Sequence, residues 1–284
     1  MKPLFSCNDA FGCDKNGENV MNLAIIGCGK MGEAMLRGIL SAKIIAPENV
    51  IIADIFEAQL QKLAQELKVQ VTTENELAVK HADVVILAVK PIHIKSVLEN
   101  ITKSLKPNVV LISIAAGVSF SQLNDYLGEN DFQIVRAMPN TPALVSFGAT
   151  GVCFSHNCTE QTKNIVSQIF TSIGLYSEFT EAQLAAVTGV SGSGPAFVAI
   201  FIEAMADAGV LMGMTRKDAI AFALQTVEGT AKLIKEGNIS ANEVKEAVSS
   251  PGGTTIAGIE ALEANGFRHA VISAVKAAAN KAKS

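Results

Sequence analysis

The apolar run Leu23-Ala24-Ile25-Ile26 passes directly into Gly27-Cys28-Gly29-Lys30-Met31-Gly32, a G-x-G-x-x-G match, and then into an amphipathic stretch. This order constrains the fold more than any other part of the chain. A buried strand, a glycine turn and a helix start in succession are what the motif requires if it is to hold a dinucleotide. The glycines let the backbone turn tightly and approach a pyrophosphate, while the first helical turn offers unpaired N–H groups and the positive end of its dipole. Gly27, Gly29, Lys30, Met31 and Gly32 are therefore candidate cofactor-binding residues, and a plain glycine-rich turn is the alternative reading.

The same alternation continues along the first half of the chain. Short β-branched runs at 23–26, 50–53, 69–71, 84–89, 109–114, 133–137, 149–154 and 175–179 are separated by amphipathic segments. Continuous apolar runs such as Val84-Val85-Ile86-Leu87-Ala88-Val89 suit strands buried on both faces. The expectation is an α/β, Rossmann-like, mostly parallel doubly wound sheet over 21–180.

After Thr180 the strand signal disappears. Ser193-Gly194-Pro195 opens a helix over 196–212 that Gly213 closes, and capping-box spacings at Thr215 to Asp218 and Ser240 to Glu243 open helices at 216–236 and 241–248. Two more helices follow Gly253, separated by Asn265-Gly266. The run Phe197-Val198-Ala199-Ile200-Phe201-Ile202 is apolar nearly all round, which calls for a partner. Residues 181–284 are thus expected to be an all-α domain that interlocks with its copy in a homodimer, with a larger assembly of dimers left open.

Composition narrows the function classes. A net charge of −4 without a long single-sign run gives no footprint for nucleic acid or a membrane surface, so a small-molecule substrate is the default partner. The mean hydropathy of +0.33 points to apolar surface covered by association. Five cysteines without a CxxC pair read as free thiols, and no secretory signal precedes them, which places the chain in the cytoplasm. Residues 1–20 read as a disordered or extraneous leader before Met21, and no apolar run is expected to reach membrane-spanning length. The four histidines, His81, His93, His156 and His269, are scattered without ligand spacing, so no metal site is expected.

The second strand ends at Asp54, where a carboxylate can accept from both ribose hydroxyls of NAD and repels the 2′-phosphate of NADP. This leans toward NADH. A solvated loop acid is the plainer reading, and Lys62 or Lys68 could reach a phosphate if the loop folds suitably.

Several further segments resemble pyrroline-5-carboxylate reductases over residues 21–282: Ala88-Val89-Lys90-Pro91, Ser113-Ile114-Ala115-Ala116-Gly117-Val118, Arg136-Ala137-Met138-Pro139-Asn140-Thr141-Pro142, Gly189-Val190-Ser191-Gly192-Ser193-Gly194-Pro195-Ala196 and Ser249-Ser250-Pro251-Gly252-Gly253-Thr254-Thr255-Ile256-Ala257-Gly258. The resemblance implies NADPH- or NADH-dependent reduction of 1-pyrroline-5-carboxylate to L-proline. It implies cofactor contacts at Asn75 near the adenosine ribose, at Ala88, Val89, Lys90 and Pro91 along the phosphates, and at Ala115, Ala116, Gly117 and Asn140 near the nicotinamide. Asp54 departs from family members that carry Ser, Thr or Arg around this turn.

Two glycines and a helix start in Ser250, Pro251, Gly252, Gly253, Thr254 and Thr255 offer backbone N–H groups to a carboxylate, the anion this substrate carries beside its imine. A capped helix with Thr254 or Thr255 as N-cap is the alternative. The resemblance places a threonine hydroxyl, here Thr255, at the imine nitrogen. Thr255 is too weak an acid to carry charge, so its expected catalytic role is orientation and a hydrogen bond.

Two rivals are weighed. A hydroxyacid-type NAD(P)-dependent dehydrogenase needs a base for alcohol oxidation, and no lysine lies between Gly189 and Arg216. A non-catalytic dinucleotide sensor has no use for a second anion site at 251–255.

Overall fold

The computed structural model describes residues 21–283, and the leader expected at 1–20 lies outside them. The described residues divide into two compact units, one of 21–192 with 279–283 and the other of 193–278.

In the first unit, strands β1 (Leu23–Ile26), β2 (Val50–Ala53), β3 (Gln70–Thr72), β4 (Val84–Leu87), β5 (Val110–Ser113), β6 (Gln133–Met138), β7 (Gly148–Phe154) and β8 (Gly174–Glu178) form one sheet in the order β3-β2-β1-β4-β5-β6-β7-β8. Every pairing is parallel except β6 with β7. The helices are α1 (Lys30–Ser41), α2 (Glu57–Leu67), α3 (Asn75–Val79), α4 (Pro91–Ile101), α5 (Phe120–Leu127), α6 (Glu160–Thr171) and the short α7 (Leu184–Val187), which runs into a π turn at Thr188–Gly192.

Both faces of the sheet are covered, as the continuous apolar strands require. Leu23 and Ile25 point into a core with Met35 and Ile39 of α1, Leu63 of α2 and Phe170 of α6. Ala24 and Ile26 point the other way, toward Val79 of α3, Leu98 of α4 and Leu123 of α5. Strand order reverses between β1 and β4, so the crevice at their carboxyl ends is the topological switch point where such sheets bind ligands. The expected run 84–89 stops as a strand at Leu87. Pro91 has no N–H for the ladder and holds Lys90 extended at the N-cap of α4, so the chain turns into a helix there.

The N-terminal end of β1 is fixed by Asp83. Its carboxylate accepts from Asn22 N (2.9 Å), Asn22 Nδ2 (3.3 Å) and Lys106 Nζ (2.7 Å), and Asp83 is buried. Asp83→Ala leaves those donors unpaired, and urea unfolding is expected to show a loss of about 2–4 kcal/mol.

The second unit is helical, with α8 (Gly194–Leu211), α9 (Arg216–Gly237), α10 (Ala241–Ala247), α11 (Thr254–Ala264) and most of α12 (Phe267–Lys281). Ser240 and Glu243 complete the expected capping box. At Thr215 only half of it forms, because Asp218 is one methylene shorter than Glu and accepts from the Thr215 hydroxyl instead of the backbone N–H. The buried core cluster of this unit consists of Ala206, Ala219 and Ala223, while Ile200, Leu211, Met212 and Phe222 are exposed. One sequence expectation needs correction. The π turn joins α7 to α8, and the helical stretch Glu181–Leu211 is, by length and composition alone, long and apolar enough to cross a membrane.

Candidate functional site

The three motif glycines sit at the switch point for three different reasons. Gly27 has φ +100, and a Cβ there would lie 2.6 Å from the Ala88 carbonyl oxygen at the end of β4. A Cβ on Gly32 would lie 2.1 Å from the Gly27 carbonyl oxygen, so its bare backbone lets α1 close onto the turn. A Cβ on Gly29, the N-cap of α1, would meet nothing within 4 Å. It would project into the open crevice in front of the helix N-terminus, the space a pyrophosphate needs. The residues present therefore fit a dinucleotide. Lys30 is exposed and Met31 half-buried in the first helical turn.

The strand ends around the crevice are laced together. Gly27 N–H donates to Ala53 O (2.8 Å), and Ala88 N–H donates to Ile26 O (2.8 Å). Asp54 adds a contact that the sequence did not reveal. Its Oδ2 accepts from Cys28 N–H (2.6 Å) inside the glycine turn, and its Oδ1 from Phe56 N–H (3.0 Å). Asp54 thus holds the turn in shape and keeps lone pairs for further donors. Burial, with the bonded Asp54 carboxylate, pushes the Cys28 thiol up to about 12. Cys28 is accordingly expected to resist iodoacetamide at neutral pH in the folded protein and to react on unfolding, which mass spectrometry can follow.

Asn75 is half-buried at the first turn of α3, after the N-cap Glu74. Ala88 and Val89 are half-buried, while Lys90 and Pro91 are exposed at the start of α4, beside the crevice.

Farther along the carboxyl edge, Ala115, Ala116 and Gly117 follow β5 and line a cleft of about 440 Å³ with Arg136, Ala137 and Met138 of β6 and with Glu181, Leu184, Ala185 and Thr188. Glu181 Oε1 accepts from Arg136 Nη1 (2.6 Å) and from Phe120 N–H (2.7 Å). Asn140 is buried next to Met138, and backbone partners engage both ends of its amide: Nδ2 donates to Ser191 O (3.0 Å), and Oδ1 accepts from Ala149 N–H (2.8 Å). The sequence reading makes Asn140 a nicotinamide contact, and here its amide is engaged by the protein backbone. The sequence reading missed the Glu181 clamp; the Thr180 to Gln183 capping-box spacing marks only the helix start that carries Glu181.

In the second unit the loop before α11 is a turn closed by Gly253 N–H to Ser250 O (3.0 Å), with Gly252 at φ +65. The N-cap is Gly253, without a side-chain cap, so Thr254 and Thr255 are the first helical residues and the alternative of a threonine cap fails. The Ser250 side chain lies over Gly253, where a Cβ would be 2.3 Å from Ser250 Oγ. Pro251, Gly252 and Thr254 are exposed and Thr255 is half-buried. Uncapped first-turn N–H groups beside threonine hydroxyls form an arrangement that can accept a carboxylate.

Comparison with known proteins finds two family matches. Residues 181–284 match a family described as pyrroline-5-carboxylate reductase dimerisation, and residues 22–117 match one described as NADP oxidoreductase, coenzyme F420-dependent. A pyrroline-5-carboxylate reductase of Methanosarcina acetivorans is 43% identical over 261 residues, which is 92% of this chain and 96% of that one. Among solved structures, a pyrroline-5-carboxylate reductase from Coxiella burnetii superposes with TM-score 0.88 at 34% identity, covering 93% of this chain and 98% of its own. A Plasmodium falciparum pyrroline carboxylate reductase with NADP bound gives TM-score 0.83 at 35% identity, covering 93% and 97%.

Proposed function

Since the chain belongs to the pyrroline-5-carboxylate reductase family, we propose how its own residues carry out the NAD(P)H-dependent reduction of 1-pyrroline-5-carboxylate to L-proline. The observation that carries the reading is the uncapped Gly253–Thr255 helix start. It offers N–H groups to the substrate carboxylate and the Thr255 hydroxyl to the ring nitrogen.

When bound, the reduced nicotinamide supplies the hydride that the imine carbon receives. Residues 21–180 bind that cofactor through Gly27, Gly29, Lys30, Met31, Gly32, Asp54, Asn75, Ala88 to Pro91 and Ala115 to Gly117. Residues 181–284 bind substrate through Ser250 to Thr255 and associate with a second copy. As hydride reaches carbon, the C=N π pair moves to nitrogen, which must be protonated or hydrogen-bonded. Thr255 orients that nitrogen, and the proton comes from solvent or from substrate that is already protonated. Positioning, more than acid strength, accounts for the acceleration. The exposed apolar helices support a soluble cytoplasmic homodimer over a membrane span, because Glu181–Leu211 lies within the stretch matched as a dimerisation domain.

The Asp54 carboxylate supports NADH as the preferred cofactor. Asp54→Ser is expected to raise the KM for NADH about tenfold while changing that for NADPH less, as the loss of a hydrogen bond to a charged group implies. The test is imine-dependent oxidation of each cofactor. A wild type that favours NADPH sinks the assignment, and cofactor binding without imine turnover would favour a dinucleotide sensor.

A further inference from the structure

We propose that Asn140 is a positioning residue for hydride transfer, a brace that fixes the width of the cleft between the ends of β5 and β6 and the α7–π-turn segment. The inference rests on reading that cleft as the nicotinamide end of the cofactor site.

One wall of the cleft is Ala115 to Gly117 with Ala137 and Met138. The other is Leu184, Ala185 and Thr188, and Ala282 and Lys283 line the cleft beside Gly117. The second wall is a weak element by itself. α7 has four residues, and the π turn that follows lacks regular i→i−4 bonding, so side chains bond back to its backbone: Thr188 Oγ1 to Leu184 O (2.9 Å) and Ser191 Oγ to Val187 O (3.0 Å).

Val187 packs on Gly151 of β7 in the middle of this wall, and two polar ties hold it to the sheet, one at each end. At the first end Glu181 reaches Arg136 and Phe120 N–H, with a carboxylate that is 41% exposed and open to water. At the second end Asn140, only 8% exposed, joins Ser191 O to Ala149 N–H across the same edge. Gly192 sits so close to the end of β6 that a Cβ there would lie 2.8 Å from Met138 Cε. The buried tie is the stiffer one, because water cannot replace its bonds.

Asn140 therefore acts through the wall it holds. Without it the π-turn end of the wall keeps only apolar packing, Val187 against Gly151 and Gly192 against Met138, which fixes no direction, so the cleft widens at that end and a ring seated there loses its approach to the imine carbon. Misplacement of about 1 Å costs hydride transfer roughly 10²-fold while leaving the pyrophosphate contacts intact.

The experiment uses the full chain with Asn140→Ala and Asn140→Asp. The aspartate keeps an acceptor for Ala149 N–H and removes the donor to Ser191 O, and it is read alone if the alanine variant does not fold. The expected result has three parts. kcat falls roughly 10- to 100-fold with the cofactor dissociation constant near wild type. The isotope effect from cofactor deuterated at the transferred position rises, because the transfer step has become limiting. Amide exchange at 188–192 accelerates. Unchanged exchange there overturns the brace whatever the activity does. A cofactor dissociation constant that rises by the factor by which kcat/KM falls overturns it too, since Asn140 would then be a direct ligand. A wild type that binds cofactor but does not reduce the imine contradicts the reading of the reaction, and the exchange data then decide the brace alone.

Discussion

Gly29→Ala is expected to fold like the wild type and to bind reduced cofactor roughly 10²-fold more weakly, whereas Gly32→Ala is expected to lose stability before binding can be asked about. The two substitutions add the same methyl group three residues apart in one motif. At Gly29 the backbone is extended (φ −64, ψ −179) and a Cβ meets no protein atom within 4 Å, so the cost to folding is that of a poorer N-cap, less than about 1 kcal/mol. The methyl group instead occupies the place of a pyrophosphate, and overpacking of about 3 kcal/mol corresponds to the stated loss of affinity. At Gly32 the methyl group would lie 2.1 Å from the Gly27 carbonyl oxygen, which is backbone and cannot swing aside. Thermal unfolding with and without NADH, together with fluorescence titration of the cofactor, separates the two. Equal destabilisation by both variants, or tight binding by Gly29→Ala, contradicts the division of roles.

The second large effect is expected at Thr255. Thr255→Ala should lower kcat for imine reduction on the order of 10²-fold, the usual consequence of removing one well-placed donor, with cofactor affinity unchanged. Thr255→Ser keeps the hydroxyl and should recover most of the rate. Thr255 is the second residue of α11, in a first turn whose N-cap Gly253 contributes no side-chain bond, so neither change removes a cap. Steady-state kinetics with saturating NADH or NADPH decide it. If serine fails to rescue, the hydroxyl is not the operative group and the threonine methyl group is what matters.

Much of this was legible from pattern alone. The β-branched runs gave all eight strands to within two residues, and the fully buried β1, β4 and β5 were the plainest, because a strand buried on both faces has no polar position to interrupt its run. Where the boundaries shifted, as at Leu87, a proline and a helix start competed for the last residues of the run. The glycine motif announced its own location. Pattern could not announce which partner each polar side chain takes. Asp54 was read as a ribose ligand, and what the structure adds is its bond to Cys28 N–H across 26 residues of sequence; no local spacing encodes a contact between two strand ends. Asn140 was read near the nicotinamide, and its amide proves to serve Ser191 and Ala149. The clamp between Arg136 and Glu181, 45 residues apart, arises only because β6 and the segment before α7 share one edge of the sheet.

The helical unit has a thermodynamic consequence. Its buried core cluster amounts to three alanine side chains with Ile202, Met205 and Val210 partly buried against them, less apolar burial than the conformational entropy of about 85 ordered residues demands. Its folding free energy must therefore be supplied by a second copy, which makes that energy a function of how much protein is present. Melting temperature should climb with protomer concentration while the sheet unit, with two full cores of its own, sets a floor that dilution does not lower. In a cell, newly made chains would pass through a stage in which the nucleotide half is finished and the other half waits on mass action.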